Sequence, residues 1–379
     1  MPQLQKTDKT LFSTTVVMVF FGLLMVYSAS SVMADQKYGS STHFVLRQSA
    51  WVVLSVAAMM ALKRTPYRRL QNPAVAFTAV GVVIVLLAAV YFIDEKNHRW
   101  LRIWLLNIQP AEIAKPAIVV FLAYFIAQRA RAINDRHTLW PALMAVGAVT
   151  FGVVVADLGT AAVIAATSTA VFFVAGLERK YFYVLAAIAF VGGSFAIASR
   201  PYRLARLVQF FDPNYELLSR VERLQPLKAY LERSNTSKDT NYQAEQSKIA
   251  VGAGGAGGVG LMLGKQKLLY LPEGHTDFIY AVLSEELGMV GSIGVLAAYC
   301  VILWRGVRAT RRAQDDFGRY LALAVTTMVV VQALMNISVV LAMAPTKGIP
   351  LPMISFGGNS LLSTLALMGM LMNVSETAG

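Results

Sequence analysis

The recurrence of long apolar runs is the feature that most limits how this 379-residue sequence can fold. A helix needs about 20 apolar residues to cross roughly 30 Å of hydrocarbon, and about ten runs reach or approach that length. Only 15% of the residues are charged, against roughly 25% in a soluble domain. We therefore expect an all-α, polytopic membrane protein and exclude a soluble multidomain one. The expected spans are residues 12–33, 47–62, 74–93, 112–128, 140–156, 160–176, 182–199, 277–303, 320–343 and 358–374.

The distribution of lysine and arginine predicts how these spans are oriented. If the N-terminus is cytoplasmic, the short inside segments hold about 16 of these residues and the short outside segments about 5, as the positive-inside rule requires. Both termini then face the cytoplasm, and the protein is expected to lie in the cytoplasmic (inner) membrane. The net charge of +13 is explained by this anchoring and does not indicate nucleic acid. The lone cysteine, Cys300, gives neither a disulfide nor a metal cluster.

The chain is predicted to be one integral membrane domain, 1–379, with one large extracytoplasmic loop, 200–276, between the seventh and eighth helices. A loop of this length without a domain pattern of its own is more often functional than not. It begins with basic residues that include Arg203 and Arg206. Its amphipathic middle, 215–233, is expected to lie on the membrane surface as a helix.

A glycine run closes this loop, with six glycines within the nine residues 252–260. Gly252, Gly254 and Gly257 fit the G-x-G-x-x-G spacing of dinucleotide-binding loops. That fingerprint needs a strand before it and a helix after it, whereas here a polar loop and a membrane helix flank it. Two interpretations remain: a closely packed or flexible segment, and a nest of backbone amides that binds an anion at the outer face.

Acidic residues cluster at the start of the eighth span. Asp277 lies at its mouth, and Glu285 and Glu286 lie about 12 Å deeper along a helix axis. Acids within a span are costly, so they usually face a cavity or a cation. The simpler alternatives are that the two glutamates pair with basic groups on neighbouring helices, and that Asp277 is only an acid at a helix N-terminus.

Two further outer segments carry cations and irregular backbone. Residues 98–116 contain Arg99 and lead into the fourth span, where Glu112 and Lys115 share one helix face. Residues 344–362 contain Lys347 and several prolines and glycines before the last span. Cations and amides suit a pyrophosphate, and a carboxylate suits a hydroxyl that must lose a proton. Together they indicate glycosyl transfer from a lipid-linked pyrophosphate.

These segments also resemble the SEDS family, named for shape, elongation, division and sporulation. The resemblance rests on RWLRIWLLNIQPAEIAK, ADLGTA, FFDP, GKQKLLYLPEGHTDFIYAVLSEELG and TKGIPLPMISFGGNSLL, which occur in the family's order over nearly the whole chain. The TKG before the prolines is closer to the division and sporulation branch (FtsW-like) than to the elongation branch (RodA-like). Departures such as Ala156 before DLGT and Phe356 and Asn359 in the last tract remove no ionisable group.

The resemblance implies a peptidoglycan glycosyltransferase that polymerises lipid II at the outer face of the membrane. Its implied partners are a class B penicillin-binding protein, which is a transpeptidase, and other divisome or elongasome membrane proteins. Asp277 is then the catalytic residue, with Glu285 and Glu286 as supporting acids. The expected substrate-binding residues are Lys115, Glu112, Arg99, Arg203, Arg206, Lys347, Gln243 and Ser355.

A divalent cation, Mg²⁺ or Mn²⁺, held by Asp277 is possible but not required by the sequence. Two alternative functions also fit the ten spans. A lipid II flippase would use intramembrane acids along a substrate path. A non-catalytic division scaffold would not depend on Asp277 for activity.

Overall fold

The computed structural model describes residues 7–94, 98–103, 106–129, 132–198, 201–212, 219, 220, 225, 228, 230, 237–268, 270–346 and 348–377. Twelve α-helices occur in these ranges: α1 Lys9–Tyr38, α2 His43–Arg64, α3 Pro73–Ile93, α4 Pro110–Arg129, α5 Arg136–Ala156, α6 Leu158–Val174, α7 Arg179–Ala198, α8 Pro201–Phe211, α9 Ser237–Gly254, α10 Ile279–Arg312, α11 Asp316–Val340 and α12 Gly358–Thr377. A 3₁₀ turn covers Tyr67–Gln71. One antiparallel hairpin, β1 Leu101–Ile103 and β2 Leu106–Ile108, precedes α4.

Each predicted span overlaps one of ten of these helices, with ends that differ by at most five residues except at α10, which ends nine residues beyond the predicted 303. Within the described ranges, eight helices are long and apolar enough to cross a membrane, so the polytopic all-α fold is confirmed. The other two predicted spans correspond to α6, which has 17 residues, and α12, which has 20. The count of ten spans stays a prediction. The middle of the long loop, 215–233, lies almost entirely outside the described residues.

Side chains at the helix starts explain where several helices begin. Asp8 accepts a hydrogen bond from the backbone N–H of Leu11 and caps α1. Asn72 caps α3 in the same way, and Pro73 takes the first helical position, where its missing N–H costs nothing. Asp157 ends α5 and caps α6, because its carboxylate accepts from the backbone N–H groups of the next turn.

The bundle is built around α4, whose residues are buried along almost its full length. Helices α3, α6 and α11 pack against it, and α12 lies along α2. Helix α7 is the opposite case, because none of its described side chains is buried. Its apolar side chains face outward, as at Phe190 and Phe195, which is the surface expected of a helix that meets lipid.

Ion pairs tie the helix ends together at one end of the bundle. Arg305 of α10 contacts Asp8 at 2.6 Å, and the hydroxyl of Ser375 donates to the same carboxylate at 2.6 Å. Nearby, Lys63 of α2 contacts Glu376 at 3.0 Å. The start of α1, the end of α2 and the end of α12 therefore meet here. This is the end that the lysine and arginine counts predict to be cytoplasmic.

Helix α10 is broken at Gly288, whose backbone angles are φ 63° and ψ −158°. The N–H groups of Met289 and Val290 donate to carbonyls of the glycine run, at Gly255 and Ala256, instead of to the preceding turn of α10. In return, the glycine run donates to α10: the carbonyl of Glu285 accepts from Val259 and that of Glu286 from Gly260, both at 3.0 Å. We call this set of four hydrogen bonds the glycine splint.

Candidate active site

A cavity of about 970 Å³ opens at the end of the bundle opposite the Asp8 contacts. Its walls come from α2, the hairpin, α4, the α5–α6 junction, α8, α9, the segment before α10 and the segment before α12. The charged residues that line it are Arg47, Arg99, Arg203, Arg206, Glu112, Asp157, Glu273 and Asp277. Four cations and four acids therefore face one space, together with the indole rings of Trp51 and Trp100.

Asp277 lies at the base of this cavity, two residues before α10, and its backbone is fixed from two sides. Its carbonyl accepts a hydrogen bond of 2.7 Å from Asn336 of α11. The carbonyl of Thr276 accepts one of 2.6 Å from the hydroxyl of Ser355. A Cβ at Gly348 would lie 2.8 Å from a carboxylate oxygen of Asp277, so the glycine leaves that side of the carboxylate accessible.

The carboxylate of Asp277 is surrounded by protein but accepts no hydrogen bond from the described residues. Its pKa is raised to about 7, mainly by burial and also by the nearby acids Glu273 and Asp157. The cations Arg99 and Arg206 oppose this shift. A carboxyl group with a pKa near 7 is suited to taking up a proton at neutral pH.

Arg99 and Asp157 form an ion pair on the cavity wall, with 3.7 Å between the guanidinium and the carboxylate. Asp157 also accepts from the backbone N–H groups of Gly159 and Thr160 and from the Thr160 hydroxyl. Its carboxylate is thus occupied in starting α6 and in holding Arg99. About a third of the Arg99 side chain remains exposed, and the residue lines the cavity.

Arg203 projects from α8 toward the C-terminal ends of two other helices. Its guanidinium donates to the carbonyls of Val154 and Val155 of α5, at 2.9 and 3.3 Å, and to that of Ala196 of α7, at 3.3 Å. Carbonyls at a helix C-terminus carry partial negative charge, which stabilises the cation there. Arg206, one turn further along α8, also faces the cavity.

Glu112 and Lys115 form a buried ion pair on α4, with side chains 3% and 1% exposed. The ammonium group of Lys115 also donates to Gln332 of α11 at 2.9 Å. Glu112 lines the cavity, whereas Lys115 lies behind it. The pair therefore supports the cavity wall through Glu112, and Lys115 is not in position to contact a ligand.

The structure brings together most, but not all, of the residues that the sequence predicts for the site. Those that line the cavity are Asp277, Glu112, Arg99, Arg203, Arg206 and Gln243. Those that the structure places outside it are Lys115, Ser355, Glu285 and Glu286. Lys347 lies outside the described residues, although its neighbours Thr346 and Gly348 line the cavity.

Ser355 and the two glutamates of α10 serve the structure around the cavity. Besides its bond to Thr276, the Ser355 hydroxyl accepts from the backbone N–H of Leu351 at 2.8 Å. The carboxylate of Glu285 accepts from the backbone N–H of Lys265 at 2.8 Å. Glu286 is fully buried and pairs with Lys267 at 2.8 Å. The two glutamates therefore lie outside the cavity. Glu286 pairs with a basic group, as the simpler alternative has it, although Lys267 belongs to the segment before α10 and not to a neighbouring helix, whereas Glu285 is bound by backbone amides.

The glycine run also lies away from the cavity. The amides of Gly258, Val259 and Gly260 donate to carbonyls of α9 and α10, and that of Met262 to the Glu286 carboxylate. Because these donors are already used within the protein, the nest of amides for a pyrophosphate is wrong. The packing interpretation of the run is the one that the structure supports, and binding of a phosphate is left to the arginines.

Among the charged and tryptophan residues that line the cavity, sequence reasoning missed five: Arg47, Trp51, Trp100, Asp157 and Glu273. Arg47 and Trp51 are four residues apart near the start of α2 and so share a helix face. That spacing, together with a cation near the predicted outer boundary, was a usable signal. For Glu273 the sequence gives only its proximity to Asp277.

A divalent cation is compatible with this site only if the substrate supplies part of its ligands. Among the described residues, no three His, Cys, Asp or Glu side chains converge on one point. Mg²⁺, however, is commonly held by one or two carboxylates together with substrate phosphates and water. The carboxylate of Asp277, which accepts no protein hydrogen bond in the described part of the chain, fits that kind of site.

Comparison with known proteins gives one consistent result. A profile of the FtsW/RodA/SpoVE family, described as cell cycle proteins, matches residues 8–378. A probable peptidoglycan glycosyltransferase FtsW of Geobacter metallireducens is 34% identical over 378 residues, covering 98% of this chain and 96% of that protein. Stage V sporulation protein E of Bacillus subtilis is 35% identical over 375 residues, covering 97% of each chain.

Two solved structures share the fold. A chain from a peptidoglycan synthase complex that coordinates polymerization and crosslinking matches with a TM-score of 0.76 and 24% identity, covering 98% of each chain. The rod shape determining protein RodA of Thermus thermophilus matches with a TM-score of 0.67 and 23% identity, covering 99% of this chain and 98% of that one. At these identities the two matches support the fold alone.

Proposed function

This chain belongs to the FtsW/RodA/SpoVE family of cell cycle proteins, which is the SEDS family predicted from its motifs, and from that premise we propose that it is a peptidoglycan glycosyltransferase. Relatives that carry this activity in their names align over nearly its full length. The substrate that we propose is lipid II, the disaccharide-peptide linked to undecaprenyl pyrophosphate. One observation carries the proposal: the Asp277 carboxylate, which accepts no hydrogen bond from the residues that the structure describes, faces a cavity that four arginines also line: Arg47, Arg99, Arg203 and Arg206.

Asp277 is the general base in the proposed reaction. It takes the proton from the acceptor sugar hydroxyl as that oxygen bonds to the anomeric carbon of the donor sugar. The bond from that carbon to the pyrophosphate oxygen breaks on the opposite face, so the configuration inverts. With a pKa of about 7, roughly half of the Asp277 carboxyl groups are ionised at neutral pH, and the carboxylate is basic enough to take up the proton.

The arginines stabilise the negative charge that develops on the leaving pyrophosphate. Arg206 faces the cavity from α8, and Arg99 faces it from beside the hairpin. Arg203 is held by helix-end carbonyls, so it contributes mainly through its fixed position and field. A Mg²⁺ or Mn²⁺ ion, when bound at Asp277, would neutralise part of the pyrophosphate charge.

We place the site on the outer face of the cytoplasmic membrane. The cavity lies at the end of the bundle opposite the end that the positive-inside rule assigns to the cytoplasm. The proposed partner is a class B penicillin-binding protein that cross-links the new strand. The solved complex of similar fold supports such a partner. The motif preference for the division and sporulation branch agrees with relatives named FtsW and stage V sporulation protein E.

The test is polymerisation of labelled lipid II by the purified protein with its transpeptidase, with and without Mg²⁺ or Mn²⁺. Removing a general base typically costs a factor of about 10² to 10⁴ in rate, so Asp277→Asn is expected to lose nearly all polymerisation. Asp35→Asn is the matched control, because Asp35 is an exposed acid near the end of α1 that does not line the cavity. Full activity of Asp277→Asn would sink the assignment.

The same assay separates the alternatives. A flippase would move lipid II across vesicles without forming glycan, and its acids would follow a path through both leaflets. Here the cavity that contains Asp277 lies at one end of the bundle. Glu285 accepts a hydrogen bond from the backbone N–H of Lys265, and Glu286 pairs with Lys267, so both bind groups within the protein. A scaffold would leave polymerisation intact in the Asp277→Asn complex.

A further inference from the structure

A buried polar cluster of Lys267, Glu286 and Ser28 lies next to the glycine splint. The Lys267 ammonium group contacts the Glu286 carboxylate at 2.8 Å and the Ser28 hydroxyl at 3.3 Å. The Ser28 hydroxyl, in α1, lies 2.7 and 2.6 Å from the two carboxylate oxygens of Glu286 and shares its one proton between them. Glu286 also accepts from the backbone N–H of Met262 at 3.1 Å. The cluster thus joins α1, α10 and the segment after the glycine run.

Burying the charges of this cluster costs free energy, and a contribution to stability alone does not explain why they are buried. The Lys267 and Glu286 side chains are 4% and 0% exposed, so both charges are removed from solvent. Desolvation of two such charges can exceed their mutual attraction, and well-packed apolar replacements of a buried pair are often as stable. None of its three residues lines the cavity, so the cluster does not touch the substrate.

What the cluster does hold is the segment that leads to Asp277. Lys267 precedes Asp277 by ten residues. Downstream, this segment is fixed by Asn336 and Ser355, which bind the carbonyls of residues 277 and 276. Upstream, it is fixed by Lys267 and by the amides that Glu285 accepts. Losing the upstream anchor would free one end of the segment that carries the catalytic carboxylate.

We propose that Lys267, Glu286 and Ser28 are positioning residues, which fix the described residues 265–268 and 270–278 and thereby set the position of the Asp277 carboxylate in the cavity. This proposal rests on the proposed function, because it assigns the cluster a role through Asp277. A displacement of about 1 Å at a reacting group can cost about 10²-fold in rate. The cluster therefore acts on turnover, while the arginines that contact the substrate stay in place.

The experiment compares three variants in the complex with the transpeptidase. Lys267→Met leaves the Glu286 charge buried and unpaired, so we expect poor folding. The double variant Lys267→Met with Glu286→Gln removes both charges, and the glutamine can still bond to Ser28 and Met262. We expect it to fold with an unfolding temperature close to that of the parent protein. Ser28→Ala removes only the link to α1.

For the double variant we expect kcat to fall about 10- to 100-fold, with KM for lipid II within about twofold. A freed segment lets water reach Asp277, so the rising limb of its pH–rate profile should move to lower pH. Ser28→Ala should change both quantities in the same direction and by less. A merely structural cluster would lower the unfolding temperature without moving the pH profile.

A folded double variant with parental kcat and an unchanged pH–rate profile would overturn the positioning role. Asp277→Asn, measured in parallel, keeps the two proposals distinguishable. If Asp277→Asn is inactive and the double variant is fully active, only the role of the cluster fails. If Asp277→Asn is itself active, the assignment of the base fails, and with it any role exerted through that base.

Discussion

Replacing Gly258 by alanine should break the glycine splint. Gly258 has φ +82°, a region that costs an L-residue about 1–2 kcal/mol. An added Cβ would also lie less than 3.0 Å from backbone atoms of Glu286 and Gly288, where no flexible side chain can yield. Moving the glycine run away from α10 would break the bonds from Val259 and Gly260 to α10, at about 0.5–1.5 kcal/mol each. The expected loss of stability is about 2–5 kcal/mol in total.

Gly252→Ala is the matched control. Gly252 lies in α9 with no atom within 4 Å of an added Cβ, and alanine stabilises a helix interior by about 0.5–1 kcal/mol relative to glycine. Thermal unfolding of the two purified variants in the same detergent should therefore give opposite shifts from the parent protein. Equal unfolding temperatures for Gly258→Ala and Gly252→Ala would show that the splint does not hold α10, and the account of the glycine run would have to be abandoned.

Three further predictions concern the site itself. Polymerisation should rise with pH through about 7 as Asp277 ionises, and Arg99→Gln should move that rise to higher pH because the cation lowers the pKa of Asp277; an unmoved rise in a pH–rate series would contradict this. Lys115→Met strands the buried charge of Glu112 and should cost about 3–5 kcal/mol, most of it recovered on adding Glu112→Gln, as denaturation of single and double variants would reveal. Asn336→Ala removes the hydrogen bond to the Asp277 carbonyl, so we expect kcat to fall while the unfolding temperature changes little. A lowered unfolding temperature with an unchanged kcat would contradict this.

The sequence was sufficient for the helices because hydrocarbon length and backbone hydrogen bonding leave a membrane chain few choices. The predicted spans lie on helices of the structure, including the short hairpin of α5 and α6. The break of α10 at Gly288 was not predicted, because a glycine inside an apolar run does not show which other segment will form hydrogen bonds with the broken turn. The small hairpin before α4 escaped because three-residue strands have no periodicity to read.

Residues that line the cavity were predictable where charge type and position were informative, as for Asp277, Glu112, Arg99, Arg203 and Arg206, but not for Arg47. The sequence could not predict which of two charged residues in one motif would line the cavity. Glu112 and Lys115 are one helical turn apart, yet only the first reaches the cavity. Ser355 and Glu286 were indistinguishable from ligand-binding residues in the sequence, because their partners, Thr276 and Ser28, are far from them along the chain.

The exposure of α7 has a consequence for how its sequence can vary. With none of its described side chains buried in the protein, the helix places few demands on side-chain shape, and lipid accepts any apolar residue. A mutational scan should find that α7 tolerates exchanges among Leu, Ile, Val and Phe at most positions but rejects charges. Helix α4, buried along almost its full length, should lose about 1–3 kcal/mol at exchanges that enlarge a buried side chain, such as Val to Phe. Within one protein, the membrane would then conserve composition in α7 while packing conserves identity in α4.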